Sequence, residues 1–244
     1  MKKHNKKNHL DILDVSRGFA ILLMFVYHFI FDLDYYGYIQ QNFSQDEFWL
    51  NFRIIIVTLF LLIMGVSLYL SCYRGLSTKR FKQRLYLLVF YASLVSISSW
   101  IMYPKAMIFF GILHFIILAS VLGLLFIRLG KANFVIGLLL IIISQFFSHT
   151  FFDQAYMQWF GLMTKLPVTV DYVPFLPWFG VVLIGMYLGQ ILSQQPSKSY
   201  LKNWQATNQI SKTLALGGRY SLHIYMLHQP LFLGILYIIS QIIR

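Results

Sequence analysis

Four ionisable residues stand inside one apolar run, LDVSRGFAILLMFVYHFIFDL: Asp14, Arg17, His28 and Asp32. In a helix turning 100° per residue, with His28 set at zero, Asp14 and Asp32 fall at ~40° and Arg17 at about −20°, so all four share one narrow face. An imidazole one turn from a carboxylate is suited to act as a base near neutral pH, or as a nucleophile that carries an acyl group. The same series would serve equally as a relay for protons or a small solute. Asp14 and Arg17 are spaced to pair with each other. His28 lies eleven residues beyond Arg17, about 16 Å along a helix.

Further candidates follow along the chain. His114 sits early in an apolar run. Ser221, Tyr225 and His228 recur at helical spacing on the last one, with Gln229 directly after. His28, His114 and His228 could converge, but no two of them have the i, i+3 or i, i+4 spacing of a metal-binding helix, so no metal is expected. Asp171, Pro174, Pro177 and Trp178 open another run. There the prolines set how a helix begins, and the indole is either an interfacial anchor or a surface for a sugar ring. The single Cys72 excludes a disulfide framework within the chain and reads as structural.

The elements that carry these residues must lie in a membrane. Of 244 residues, 58% are hydrophobic and 11% charged, and the mean hydropathy is +0.66. No soluble domain of this length has an interior for that composition. Apolar windows of helical length cover residues 15–36, 50–72, 84–103, 107–127, 133–150, 173–194 and 219–242. The expected fold is all-α, a polytopic membrane bundle of about seven transmembrane helices. Residues 1–14 form a basic cytoplasmic tail and residues 15–244 one transmembrane domain. The stretch FFSHTFFDQAYMQWF after the fifth window is amphipathic, a pattern compatible with the interface. The long polar stretch before the last window has room for a short helix, with Pro196 and Gly217-Gly218 as breakers.

The formal charge of +12 is not a nucleic-acid signature, because the bases sit in alternate loops. They are Lys2, Lys3, Lys6 and Lys7; Arg74, Lys79, Arg80, Lys82 and Arg84; Arg128 and Lys131; and Lys198, Lys202 and Lys212. Short loops rich in Lys and Arg stay inside. This places the N-terminus in the cytoplasm and the C-terminal Arg244 outside the cell membrane. The MKKHNKKNHL start could head a signal peptide, but the charged residues and the lack of a small-residue cleavage site in the run after it favour a retained first helix.

Four runs, LDVSRGFAILLMFVYHFIFDL, FFGILHFI, DYVPFLPWFGVVLIGMYLG and SLHIYMLHQPL, resemble the catalytic domain of heparan-α-glucosaminide N-acetyltransferase and its bacterial relatives. The first is also similar to the wider set of membrane acyltransferases that acylate polysaccharides. The resemblance covers nearly the whole chain. It implies transfer of an acetyl or other acyl group from cytoplasmic acetyl-CoA to an amino sugar or glycan hydroxyl across the membrane, as in cell-envelope glycan modification. His28 occupies the position of the catalytic histidine, and heparan itself is not the expected acceptor of this shorter chain. On that reading His28 and Asp32 are catalytic, and Arg17 with Asp14 faces the CoA phosphates. His114, Asp171, Trp178, His228 and Gln229 serve the acceptor. A small-solute or proton-coupled transporter is the alternative, disfavoured by the lack of internal repeats. A non-catalytic membrane protein would leave the stripe on the first helix unexplained. Whether the chain forms a homodimer is left open.

Overall fold

The computed structural model describes residues 10–43, 45–102, 104–196 and 199–243, whose regular elements are all helices, with no strand among them. The tail lysines Lys2, Lys3, Lys6 and Lys7, together with Lys198 and Arg244, lie outside the described residues. The helices are α1 (Asp11–Tyr35), α2 (Glu47–Tyr73), α3 (Thr78–Met102), α4 (Ile112–Phe126), α5 (Ala132–Phe146), α6 (Phe175–Gln194), α7 (Tyr200–Asn203), α8 (Gln209–Arg219) and α9 (Ser221–Ile243). Six of them, α1, α2, α3, α4 with its 3-10 extension, α6 and α9, are long and apolar enough to cross a membrane. The protein is a polytopic helical bundle of about seven spans.

The seventh, α5, differs from expectation. Its window ran to residue 150, but the helix has 15 residues, about 22 Å at the rise of an α-helix and short of a bilayer core of about 30 Å. It stops where Phe147 turns extended, and the chain continues in 3-10 turns at Thr150–Asp153 and Gln158–Phe160. Helix α3 instead starts six residues before its window. Lys79, Arg80, Lys82 and Arg84 ride exposed on its first turns, since a helix can continue beyond the apolar layer when its charged side chains reach water. Helix α4 starts five residues late because its approach is tied down first. Ile108 N–H donates to Ser99 Oγ at 3.0 Å, and Ser96 Oγ donates to the Ile108 carbonyl at 2.7 Å.

The chain divides into two compact units. The first holds α1, α2 as far as Ile63, and α7 to α9. In it α8 lies against α1 along a glycine seam. A Cβ on Gly18 would run into the Leu214 carbonyl oxygen, and one on Gly218 into the Asp14 carbonyl oxygen. The two backbones therefore touch, which only small residues allow. Gly217 and Gly218 thus do not break a helix, as expected from sequence; both lie inside α8, and Gly218 makes its packing possible. Deeper along α1, the aromatic rings of Phe25 and Phe29 pack edge-on against Phe232 of α9. Tyr27, Phe43, Trp49 and Phe52 join α1 to α2, and the Trp49 indole N–H donates to Gln41 Oε1 at 2.9 Å.

The second unit, Met64–Gln194, is built on α6. Leu183, Val182, Met186 and Phe179 of that helix are almost wholly buried. A Cβ on Gly180 would strike Gly137 of α5, and Gly65 and Gly189 make equally close approaches between α2 and α6. The second unit is thus packed on small residues like the first.

Candidate active site

The carboxylates of the polar stripe on α1 are buried within the first unit. Asp14 and Asp32 are 5% and 2% exposed, while Phe19, Leu22, Val26 and Phe29 of the same helix face outward. That inverts the pattern of a soluble helix and suits one whose apolar side meets lipid.

At the Asp14 end the stripe is an ion-pair cluster. Arg17 Nη1 donates to Asp14 Oδ1 at 3.2 Å and to the Gly218 carbonyl at 3.3 Å. Arg219 Nε donates to the other Asp14 oxygen at 3.0 Å, and its Nη2 reaches Asp11 Oδ1 at 3.3 Å. The bond to Asp14 holds the Arg219 guanidinium above its ordinary proton affinity. Two cations thus share two carboxylates at the junction of α1 and α8. Arg219 and Asp11 were not foreseen from sequence. The signal available was Asp11 at i−3 from Asp14, a second carboxylate on the same face needing a second cation.

About three turns beyond Arg17, α9 packs against the stripe. The rings of His28 and His228 lie 4.9 Å apart, centroid to centroid. Asp32 Oδ1 accepts from Gln229 Nε2 at 2.7 Å, so the carboxylate is held by a neighbour of His228 on α9 and not, as its place one turn from His28 implied, by a bond to the His28 ring. His228 is 5% exposed and is packed by Phe25 stacked at 5.7 Å, Phe232 edge-on at 5.9 Å and Tyr225 at 5.5 Å. Its Nδ1 lies 2.5 Å from the Tyr225 carbonyl oxygen. Pro230, just beyond, lacks the N–H that a helix would donate to the Met226 carbonyl.

Three buried polar atoms of these residues have no hydrogen-bond partner among the described residues: Asp32 Oδ2, His228 Nε2 and Gln229 Oε1. The bond to Asp32 turns the Gln229 amide nitrogen toward the carboxylate, so its free atom is the oxygen. The Tyr225 carbonyl can only accept, so the neutral His228 ring carries its proton on Nδ1 and a lone pair on Nε2. All three are therefore acceptors, one of them on a carboxylate. Leaving a buried polar atom unpaired costs about 1–3 kcal/mol. A seam with three of them is matched by a ligand rich in hydrogen-bond donors and positively charged, the description of an ammonium group.

The other expected site residues lie in the second unit and form a cluster of their own. His114 Nδ1 accepts from Gly111 N–H at 3.3 Å, and its Nε2 is 3.2 Å from Ser96 Oγ. Asp171 Oδ2 accepts from Ile112 N–H at 2.9 Å, capping the start of α4 with a negative charge where the helix dipole favours one. Both ring nitrogens of His114 are engaged, in contrast to His228. Trp178 is half-buried on the first turn of α6.

Residues 9–230 match the family model described as heparan-α-glucosaminide N-acetyltransferase, catalytic. The chain belongs to that family. No curated protein and no solved structure matches it. This membrane acetyltransferase carries its His28 and His228 pair, with Asp32 and Gln229, wholly inside the matched residues. No group of three or more metal-ligating side chains is found among the described residues of the acetyltransferase.

Proposed function

We propose that the protein takes an acetyl group from acetyl-CoA on the cytoplasmic side and transfers it to the amine of an amino sugar or glycan on the other side of the cell membrane. The observation that carries this reading is the acceptor-only cluster of Asp32 Oδ2, His228 Nε2 and Gln229 Oε1 between α1 and α9. An ammonium offers three N–H donors to such a cluster, whereas a hydroxyl offers one. His28 and Asp32 are the catalytic pair of this proposal. The imidazole serves as base or as acyl carrier, and the carboxylate offsets positive charge beside it.

The donor end is the ion-pair cluster of α1 and α8. Arg17 is shared between Asp14 and a backbone carbonyl, and an incoming phosphate is a stronger partner for the guanidinium fork than a carbonyl oxygen. Asp14 orients Arg17 in the meantime. The roughly 16 Å between Arg17 and His28 along the helix matches the reach of an extended pantetheine arm. Trp178 is proposed to offer its indole to a sugar ring, and His114 and Asp171 to hold the first turn of α4 in shape for the acceptor.

Purified protein in lipid should convert labelled acetyl-CoA and an amino sugar to an N-acetylated product and free CoA. Assayed with a panel of amino sugars and envelope glycans, product with amines in preference to hydroxyl-only glycans is the expected result. Uptake of solute by proteoliposomes without any acetylated product would replace the transferase with the transporter.

A further inference from the structure

We infer that His228 is a catalytic residue of the transfer, the base whose Nε2 takes the proton that an acceptor ammonium must lose. The inference rests on the amine-acetylating reading above and changes within it the role of His228, from acceptor binding to proton transfer. The Tyr225 carbonyl, 2.5 Å from Nδ1, holds the neutral ring in the tautomer with its lone pair on Nε2. The rings of Phe25, Phe232 and Tyr225 fix the plane of the imidazole. Nε2 is buried and has no partner among the described residues, and the next residue, Gln229, holds the Asp32 carboxylate and leaves its own amide oxygen unpartnered as well. A histidine kept for packing has no need of a fixed tautomer with an idle lone pair. His114 shows the alternative, with both nitrogens occupied.

The proton count requires such a group. The acceptor enters as R–NH3+ and leaves as R–NH–acetyl, so its nitrogen sheds two protons. His228 Nε2 takes the first and becomes an imidazolium. The freed amine forms a C–N bond to the acetyl carbon. The bond broken is the one from that carbon to its leaving group, the CoA sulfur or a His28 nitrogen that has carried the acetyl, which departs with the electron pair. The imidazolium returns its proton to that leaving group. The second proton, on the newly acylated nitrogen, passes to Asp32 and on to solvent. The sum is R–NH3+ plus acetyl-CoA giving R–NH–acetyl, CoA thiol and one proton.

The test compares wild type, His228→Ala and His228→Asn in lipid, with amine acceptors graded from strongly basic to already neutral at the assay pH. Asn keeps a donor for the Tyr225 carbonyl and supplies no base, which guards against loss of folding. For basic amines both variants should lose on the order of 10²–10⁴-fold in kcat, the usual weight of a general base, with acetyl-CoA binding retained. The deficit should shrink toward wild type as the amine becomes less basic, and added imidazole should restore part of the rate of His228→Ala. An equal loss across the series, or none, overturns the inference while leaving the transferase reading in place. Wild type that binds acetyl-CoA but acetylates no amine overturns that reading and the inference together.

Discussion

A histidine in a membrane helix is defined by what its two nitrogens do. On α1, His28 faces His228 at 4.9 Å, within the seam where Asp32 and Gln229 leave acceptors unpaired. His28→Ala should therefore abolish acetyl transfer while acetyl-CoA binding stays largely intact, because the change removes the imidazole that serves as acyl carrier or as a second base beside His228. Asp32→Asn should be milder, as the amide still meets Gln229 but no longer offsets a cation. Near wild-type transfer by a correctly inserted His28→Ala protein would end the assignment. Arg17 makes the complementary case at the other end of the stripe. Arg17→Ala should weaken acetyl-CoA binding by about 1.5–3 kcal/mol, the range of a charge-assisted hydrogen bond, as read by isothermal titration or competition binding. Arg219 would still neutralise Asp14 in that variant, through its bond to the second carboxylate oxygen, so a well-folded protein with unchanged affinity would take Arg17 out of the donor site.

Helix α8 is the element that closes the stripe. It carries Arg219 to Asp14 and Asp11, and it does so because Gly18 and Gly218 let two helix backbones touch. A side chain at either position meets backbone atoms, which cannot swing aside. Gly218→Leu should lift α8 from α1, breaking the pairs of Arg219 and the bond from Arg17 to the Gly218 carbonyl. Hydrogen exchange should speed up over 209–219, and acetyl-CoA affinity should fall with it. Gly217→Ala, which meets nothing within 4 Å, is the control. Equal protection of α8 in both variants would show that the seam does not hold it. In the second unit the corresponding device is the Asp171 cap on α4. It joins the loop before α6 to a helix 59 residues earlier in the chain, which explains why α4 begins at Ile112 and not where its apolar window opens.

For the whole molecule, the distribution of Lys and Arg predicts the membrane orientation. Reporter fusions after Lys79 and after Asp46 should lie on opposite faces of the membrane, the first inside. Finding both on one face would overturn the arrangement. The short α5 bears on the same count. With 15 residues it crosses only a thinned bilayer or one lined by neighbouring helices, and the position of the C-terminus depends on whether it does.

Much of this protein was readable from residue order alone. Hydropathy and loop charge are local quantities, so the helical bundle, its count of about seven spans and the resemblance of four runs to an acetyltransferase family needed no coordinates. The shared face of Asp14, Arg17, His28 and Asp32 follows from helix geometry, which is also local. What each of these residues bonds is not local. The partners of Asp14 and Asp32, Arg219 and Gln229, lie 205 and 197 residues away, and no spacing rule connects them. The lone pair on His228 Nε2 depends on a backbone carbonyl one turn earlier and on which way the ring turns, and that choice is made by the rings of α1 and α9 packed around it. Only tertiary packing decided that Gly218 is a contact surface and not a helix end, since the sequence shows a glycine's freedom but not the neighbour that needs its missing side chain.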